Sequence, residues 1–347
     1  MKKNNDNNIF DKIKKGISDF FYDASVDLHE MFHPKKKEQN TVVTQAKLKE
    51  QKSRGKIIEL ICIWSVLIIP LVNFLIFGVI GSISSWPVAF EHYTPDGKTY
   101  DFYNFEYLFK TISEPNSIFK ESFFNTLKYW CFNFIIITPL CYLMGFFLYK
   151  NIWGYKAFRY IFFFPSIISS VIIAAFFKYM VGPHGQVQWL IEKIFGIKDV
   201  LLLENGSTAF GTMLFYNFYT GLTGGLLMWL ASFSRIPVEV VEAGKIDGLT
   251  TMKEFVHITV PITWPFMATM LMLQCTGILG AGGPALLLTG GAYGTYDLGY
   301  YEYTLTVSGT ISDQGIAGAI GLVKGFLILP FTLFINHLVN KIETVEV

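Results

Sequence analysis

Two sets of residues could do chemistry in this chain. The first is polar side chains set inside long apolar runs: Tyr216, Asn217, Tyr219, Thr220, Gln274 and Lys324. Polar groups in such places are costly and often line a pathway. A plain structural role competes with that reading. Asn or Gln in an apolar helix often bonds a neighbouring helix, and Tyr near the end of such a helix often belongs to an interfacial belt. Lys324 could face an anion, pair with an acid of a partner chain, or reach for the surface, and structural pairing is favoured. The second set is Glu242, Ala243, Gly244, Asp247 and Gly248, which fall in a polar stretch between two apolar blocks.

Covalent catalysis has no foothold in the sequence. There is no G-x-x-x-x-G-K-[ST] phosphate loop, no H-E-x-x-H pair and no G-x-S-x-G elbow. The four cysteines, Cys62, Cys131, Cys141 and Cys275, form no C-x-x-C or C-x-x-H pair, so neither a zinc site nor a redox motif is expected. The chain is therefore expected not to be an enzyme and to hold no metal or cofactor of its own.

The elements that must position these residues follow from composition. Of 347 residues, 52% are hydrophobic, 17% aromatic and only 16% charged, against about a quarter charged in a soluble domain. Mean hydropathy is +0.39. A net charge of +1 gives no case for nucleic acid. Six blocks approach or exceed the roughly 20 apolar residues that a bilayer-spanning helix needs: Leu60–Ile83, Tyr129–Tyr149, Tyr160–Phe177, Ala209–Phe233, Val260–Gly280 and Ile316–Val339. They are continuously apolar and not alternating, which excludes barrel strands. Counted over alternate loops, 20 Lys/Arg fall on one side and 5 on the other. The basic side is cytoplasmic, which puts both termini inside.

Before the first block, apolar residues from Ile9 to Phe32 recur at helical spacing among Lys12, Lys14 and Lys15. That predicts an amphipathic helix resting on the membrane surface or on the protein's own helices. Residues 34–56 read as a polar linker, so 1–56 forms a tail. No cleavable signal is evident. On the opposite side, Trp86–Glu121 is polar with many aromatics, and Val187–Ile197 predicts a short surface helix.

The loop between blocks four and five, residues 237–261, reads as helix–turn–helix. Pro237 suits a first helical turn. Val238, Val241 and Ile246 give a partial apolar face, Gly248 permits the turn, and Thr251 with Glu254 has capping-box spacing. Glu242-Ala243-Gly244, three residues, Gly248, nine residues, Ile258, one residue, Val260-Pro261 resembles the EAA motif of the permease subunits of bacterial ABC importers. It departs at Gly244 and Val260, where that motif has alanine and leucine. Asn125-Thr126-Leu127, Phe158-Arg159 through Pro165, Leu288-Thr289-Gly290-Gly291, Tyr300–Tyr303 and Gly315–Ala319 extend the resemblance over about 57–345. The carbohydrate subgroup akin to maltose and glycerol-phosphate systems is the most similar.

The resemblance implies an all-α membrane protein of the type I ABC importer permease fold, with six transmembrane helices and a cytoplasmic coupling helix. It implies that Glu242, Ala243 and Gly244 sit in a cleft of a separate ATPase dimer, which binds ATP and Mg, while Asp247 and Gly248 shape the turn. It further implies a second EAA-type permease, an extracytoplasmic solute-binding protein, surrounding lipid and a bacterial inner-membrane location. A sugar or oligosaccharide is the implied solute; tyrosine faces suit the CH-rich side of a sugar ring and amides suit its hydroxyls. The competing readings are an ion-coupled secondary transporter, which would show internal repeats and embedded acids, and a non-transporting scaffold.

Overall fold

The computed structural model describes residues 60–341 except 62, 96, 198–200, 308 and 340. The expected tail, amphipathic helix and linker over 1–56 lie outside the described residues. The chain divides into two units, Met1–Val79 and Ile80–Val347. Only residues 60–79 of the first are described, and their large apolar side chains, such as Ile69 and Phe77, are exposed.

Helices dominate. α1 (Ile63–Phe90), α3 (Ile118–Tyr149), α9 (Thr251–Thr276) and α12 (Ile311–Val339) are unbroken and long and apolar enough to cross a membrane. α4 (Tyr155–Ile167) with α5 (Ser170–Val181) and α6 (Gln186–Phe195), and α7 (Ala209–Phe233) with α8 (Val238–Ile246), form two bent pairs that bring the spans to six. Between α1 and α3 lie a hairpin, β1 (Glu91–Thr94) and β2 (Gly97–Tyr100), and α2 (Tyr103–Ser113). Between α9 and α12 lie α10 (Ala285–Leu288) and α11 (Leu298–Val307).

Four sequence expectations are corrected. The third span is not one helix: Ile168 is extended, at φ −90° and ψ 145°, and the helices on either side meet at 108°. Pro165 supplies no N–H to the ladder, and the Ser166 hydroxyl donates to Phe163 O at 2.8 Å, so the end of α4 is weakly held. The second span starts eleven residues before Tyr129, at Ile118. The second helix of the loop is not separate, because Thr251 opens the helix that becomes span five. Its capping box does not form: Thr250 takes the N-cap position, and Glu254 is drawn into an ion pair with Lys150.

α3 and α7 approach closely because glycines of α7 face α3. A Cβ on Gly225 would lie 3.2 Å from Cys141 Sγ, and one on Gly221 3.0 Å from Ile137 Cδ1. Small residues at one face are how helices associate where no water drives them together. At the end bearing the 237–261 loop, Tyr142, Phe146, Trp229, Phe233, Val241 and Ile258 form one buried cluster. At the hairpin end, Ala89, Leu108, Phe119, Leu298, Ile316 and Ala319 form another.

Side chains fasten irregular backbone at the hairpin end. The fully buried Asn104 amide donates to Ala89 O and Glu91 O at 3.0 and 2.8 Å, tying the hairpin to α2. Gly315 of α12 leaves room for it, since a Cβ there would come within 2.7 Å of both Asn104 Nδ2 and Glu91 O. In the hairpin, Glu91 pairs with Tyr100 and His92 with Thr99. The His92 ring stacks on Tyr103 at 3.9 Å and bonds Asp101 at 3.0 Å. That bond, helped by the Tyr103 N–H, holds the Asp101 carboxyl below its ordinary value. A hydrogen bond to Glu91 holds the Lys98 ammonium above its own.

Candidate functional site

A cleft of about 290 Å³, apolar over most of its lining with a few polar side chains, lies between α3, α7 and α9. Its wall on α3 carries Trp130, Asn133, Thr138 and Cys141; α7 supplies Gly221, Gly225 and Trp229, and α9 supplies Gln274. These positions follow from helical spacing, because residues three and four apart share a face. Asn133 opens a π-helical stretch, Asn133–Ile137, of the kind that often marks functional sites. The Gln274 amide donates to Thr138 Oγ1 at 2.6 Å, and the Thr138 hydroxyl donates to Asn133 O at 2.9 Å. Asn217 donates to Asn133 Oδ1 at 2.9 Å, and the Trp130 indole donates to Gln274 O at 2.9 Å. Gln274 Oε1 is buried without a partner, which leaves an acceptor free beside the cleft. No lining residue is charged.

The six polar residues singled out from the sequence do not form one site. Asn217 and Gln274 meet through Asn133 and Thr138 at this cleft. Tyr216 and Tyr219 line a different, apolar groove of about 820 Å³ against Phe162, Phe177 and Phe215. Tyr216 is buried there, edge-on to Phe177 at 5.1 Å. The Thr220 hydroxyl donates to the backbone of Tyr216 at 3.0 Å. Lys324 pairs with Glu302 of α11 at 2.8 Å, an acid of its own chain.

The 237–261 loop has a sharply defined shape. α7 and α8 meet at 79°. α8 ends in a Schellman motif: Gly248 is left-handed at φ +77°, its N–H bonds Lys245 O at 3.1 Å, and Leu249 N–H bonds Gly244 O at 2.9 Å. Glu242, Ala243, Asp247 and Gly248 are exposed. Gly244 is buried, and a Cβ on it would meet Ile258 and Leu249 at 2.8 and 2.9 Å. Its missing side chain therefore serves close packing on Leu249 and Ile258 of its own chain. The expected apolar face is corrected. Val241 points inward, whereas Val238 and Ile246 are 60% and 86% exposed.

Sequence reasoning missed Trp130, Asn133, Thr138, Lys150 and Glu254 as partners in these sites. Asn133 and Thr138 carried a usable signal, as polar residues inside span two. Lys150 and Glu254 did not, because nothing in a linear reading pairs residues so far apart. The structure also gives a reason for Asn125-Thr126. Asn125 donates to Gly294 O and Tyr296 O at 3.0 and 2.9 Å, and Thr126 Oγ1 accepts from Leu298 N–H at 2.8 Å. Together they hold the glycine-rich turn that leads into α11.

Fold and site together define a multi-pass membrane transport subunit. Residues 137–344 match the family described as binding-protein-dependent transport system inner membrane component, and the chain belongs to that family. Among its relatives is the arabinooligosaccharides transport system permease protein AraP of Bacillus subtilis (strain 168), 24% identical over 265 residues, covering 75% of this chain and 83% of AraP. Another is the multiple sugar-binding transport system permease protein MsmF of Streptococcus mutans, 26% identical, covering 56% of this chain and 67% of MsmF. The fold is that of a chain in a crystal structure of a bacterial ABC transporter involved in the import of the acidic polysaccharide alginate, with a TM-score of 0.69 at 23% identity, covering 86% of this chain and all of that one. The chain is thus an ABC importer permease subunit with a type I permease fold.

Proposed function

We propose that this subunit passes a neutral sugar or short oligosaccharide through the cleft between α3, α7 and α9. The observation that carries this reading is the cleft itself: the Asn133 and Gln274 amides, the Thr138 hydroxyl and two tryptophans stand in an otherwise small and apolar lining that holds no charge. Amides match sugar hydroxyls, and indole faces match the apolar side of a sugar ring. The sugar-named relatives AraP and MsmF support the same class of solute. Asn217 and Gln274 are the pathway residues in this reading. Tyr216, Tyr219 and Thr220 support the groove beside it, and Lys324 is a structural partner of Glu302.

The chain has no ATPase site of its own in this proposal. ATP and Mg are held by a separate ATPase dimer, and a second EAA-type permease and an extracytoplasmic solute-binding protein complete the assembly. Residues 57–345 form the permease domain, with both termini and the 237–261 loop cytoplasmic. Glu242, Ala243, Asp247 and Gly248 present the exposed face of α8 to the ATPase. Support comes from the apolar exposure of Val238 and Ile246 beside them, since grouped exposed apolar side chains mark interaction surfaces. Closure of the ATPase around ATP then displaces α8, and the spans alternate access by a free-energy link between two distant sites. The test is to purify the chain with its partners in lipid. ATP hydrolysis and uptake are then measured with binding protein loaded with candidate oligosaccharides. Stimulation by a neutral oligosaccharide is expected, and stimulation only by charged solutes would refute the assignment.

A further inference from the structure

Beneath the cleft, a buried ion pair joins two elements that are remote in sequence. Lys150 caps the end of α3, its N–H bonding Phe146 O at 3.0 Å, and Glu254 lies in the first turn of α9. A helix favours a cation at its C-terminal pole and an anion at its N-terminal pole, so the pair links two opposite poles as well as two charges. The side chains are only 18% and 7% exposed. The ammonium also lies 5.8 Å from the Phe146 ring centre and 5.7 Å from that of Tyr149. The adjacent Phe255 packs on Phe146 at 4.9 Å and on Tyr142 at 5.4 Å. α8 rests on the same part of α9 through Gly244 against Ile258. Short connections tie α8 only to α7 and α9, whereas α3, which carries Asn133 and Thr138, reaches it through these contacts.

We propose that Lys150 and Glu254 are a positioning pair that carries displacement of α8 to α3, so that one wall of the cleft moves with the coupling segment. This rests on the reading of α8 as the ATPase-facing element. A buried ion pair is a poor source of stability, because removing two charges from water costs as much as their attraction returns. Its orientation-fixing role is the property a hydrophobic pair would not replace.

The test uses the assembled transporter in proteoliposomes and reads solute moved per ATP hydrolysed. Lys150→Met and Glu254→Gln are each expected to lower that ratio about tenfold, within the range of a coupling free energy. The exchange Lys150→Glu with Glu254→Lys is expected to restore it in part. Unchanged ratios in assembled single variants would overturn the proposal. A second arm does not depend on those variants assembling. Lys150→Cys with Glu254→Cys, joined by a short thiol cross-linker and compared with each single cysteine, is expected to keep transporting. Transport blocked by the cross-link, or a cross-link that forms in no nucleotide state, would overturn the proposal. Absence of ATP-driven uptake by the unaltered chain would overturn the import reading and this role with it; intact uptake with unchanged ratios would overturn this role alone.

Discussion

The two ends of the helix bundle are built by different means. At the hairpin end, side-chain amides and hydroxyls fasten irregular backbone: Asn104 holds Ala89 and Glu91, Asn125 holds Gly294 and Tyr296, and Thr126 holds Leu298. At the loop end the backbone is helical almost throughout, and ring packing among Tyr142, Phe146, Phe233 and Phe255 joins the helices. Hydrogen-bonded backbone fixes one geometry, because a buried group left unpaired is costly. Helices packed through side chains can move as bodies. The hairpin end is therefore held by specific hydrogen bonds, and the loop end leaves Val238 and Ile246 facing outward, on the surface proposed to meet the ATPase.

Substitutions at the two ends should accordingly fail in different ways. Gly248→Pro should have the largest effect. Proline cannot adopt the φ of +77°, and uptake should fall about a hundredfold while membrane insertion persists. Vesicle uptake beside a membrane-fraction blot checks both halves. Asn125→Ala should cost about 1 kcal/mol of stability by removing two hydrogen bonds to the Gly294 and Tyr296 carbonyls, read as a lowered thermal midpoint in detergent. Gln274→Leu should raise the solute concentration for half-maximal uptake roughly fivefold and leave basal ATP hydrolysis unchanged, as expected when a polar solute loses one bonding partner. Glu242→Ala should lower coupled uptake about fivefold with no change in thermal midpoint. If Glu242→Ala destabilised the fold as much as Asn125→Ala, the contrast between the ends would be lost.

Much of this architecture is legible in the sequence because membrane helices announce themselves by length and apolarity. The 25 residues of α7 coincide with their apolar block, and Gly248 ends α8 as a glycine with positive φ should. Broken helices are harder to see. Pro165 sits in an apolar run, and only the extended Ile168 reveals that the chain turns there. The direction of each side chain is harder still. Val238, Val241 and Ile246 are equally apolar, yet only Val241 faces the core, since a short surface helix takes its orientation from what lies beneath it. Tyr216 and Asn217 are neighbours in sequence, but Tyr216 lines the apolar groove while Asn217 bonds Asn133, because successive helical residues point about 100° apart. Lys324 was readable as a residue in need of a partner, but Glu302 is 22 positions away in another helix.

Contact between the exposed face of α8 and the ATPase, as proposed, can be measured by disulfide cross-linking. Ala243→Cys is placed in the assembled transporter opposite cysteines introduced around the ATPase cleft, with Tyr100→Cys in the hairpin as the comparison. Oxidation should join Ala243→Cys to the ATPase and leave Tyr100→Cys unjoined. A bond from the hairpin and none from α8 would show that α8 does not face the ATPase.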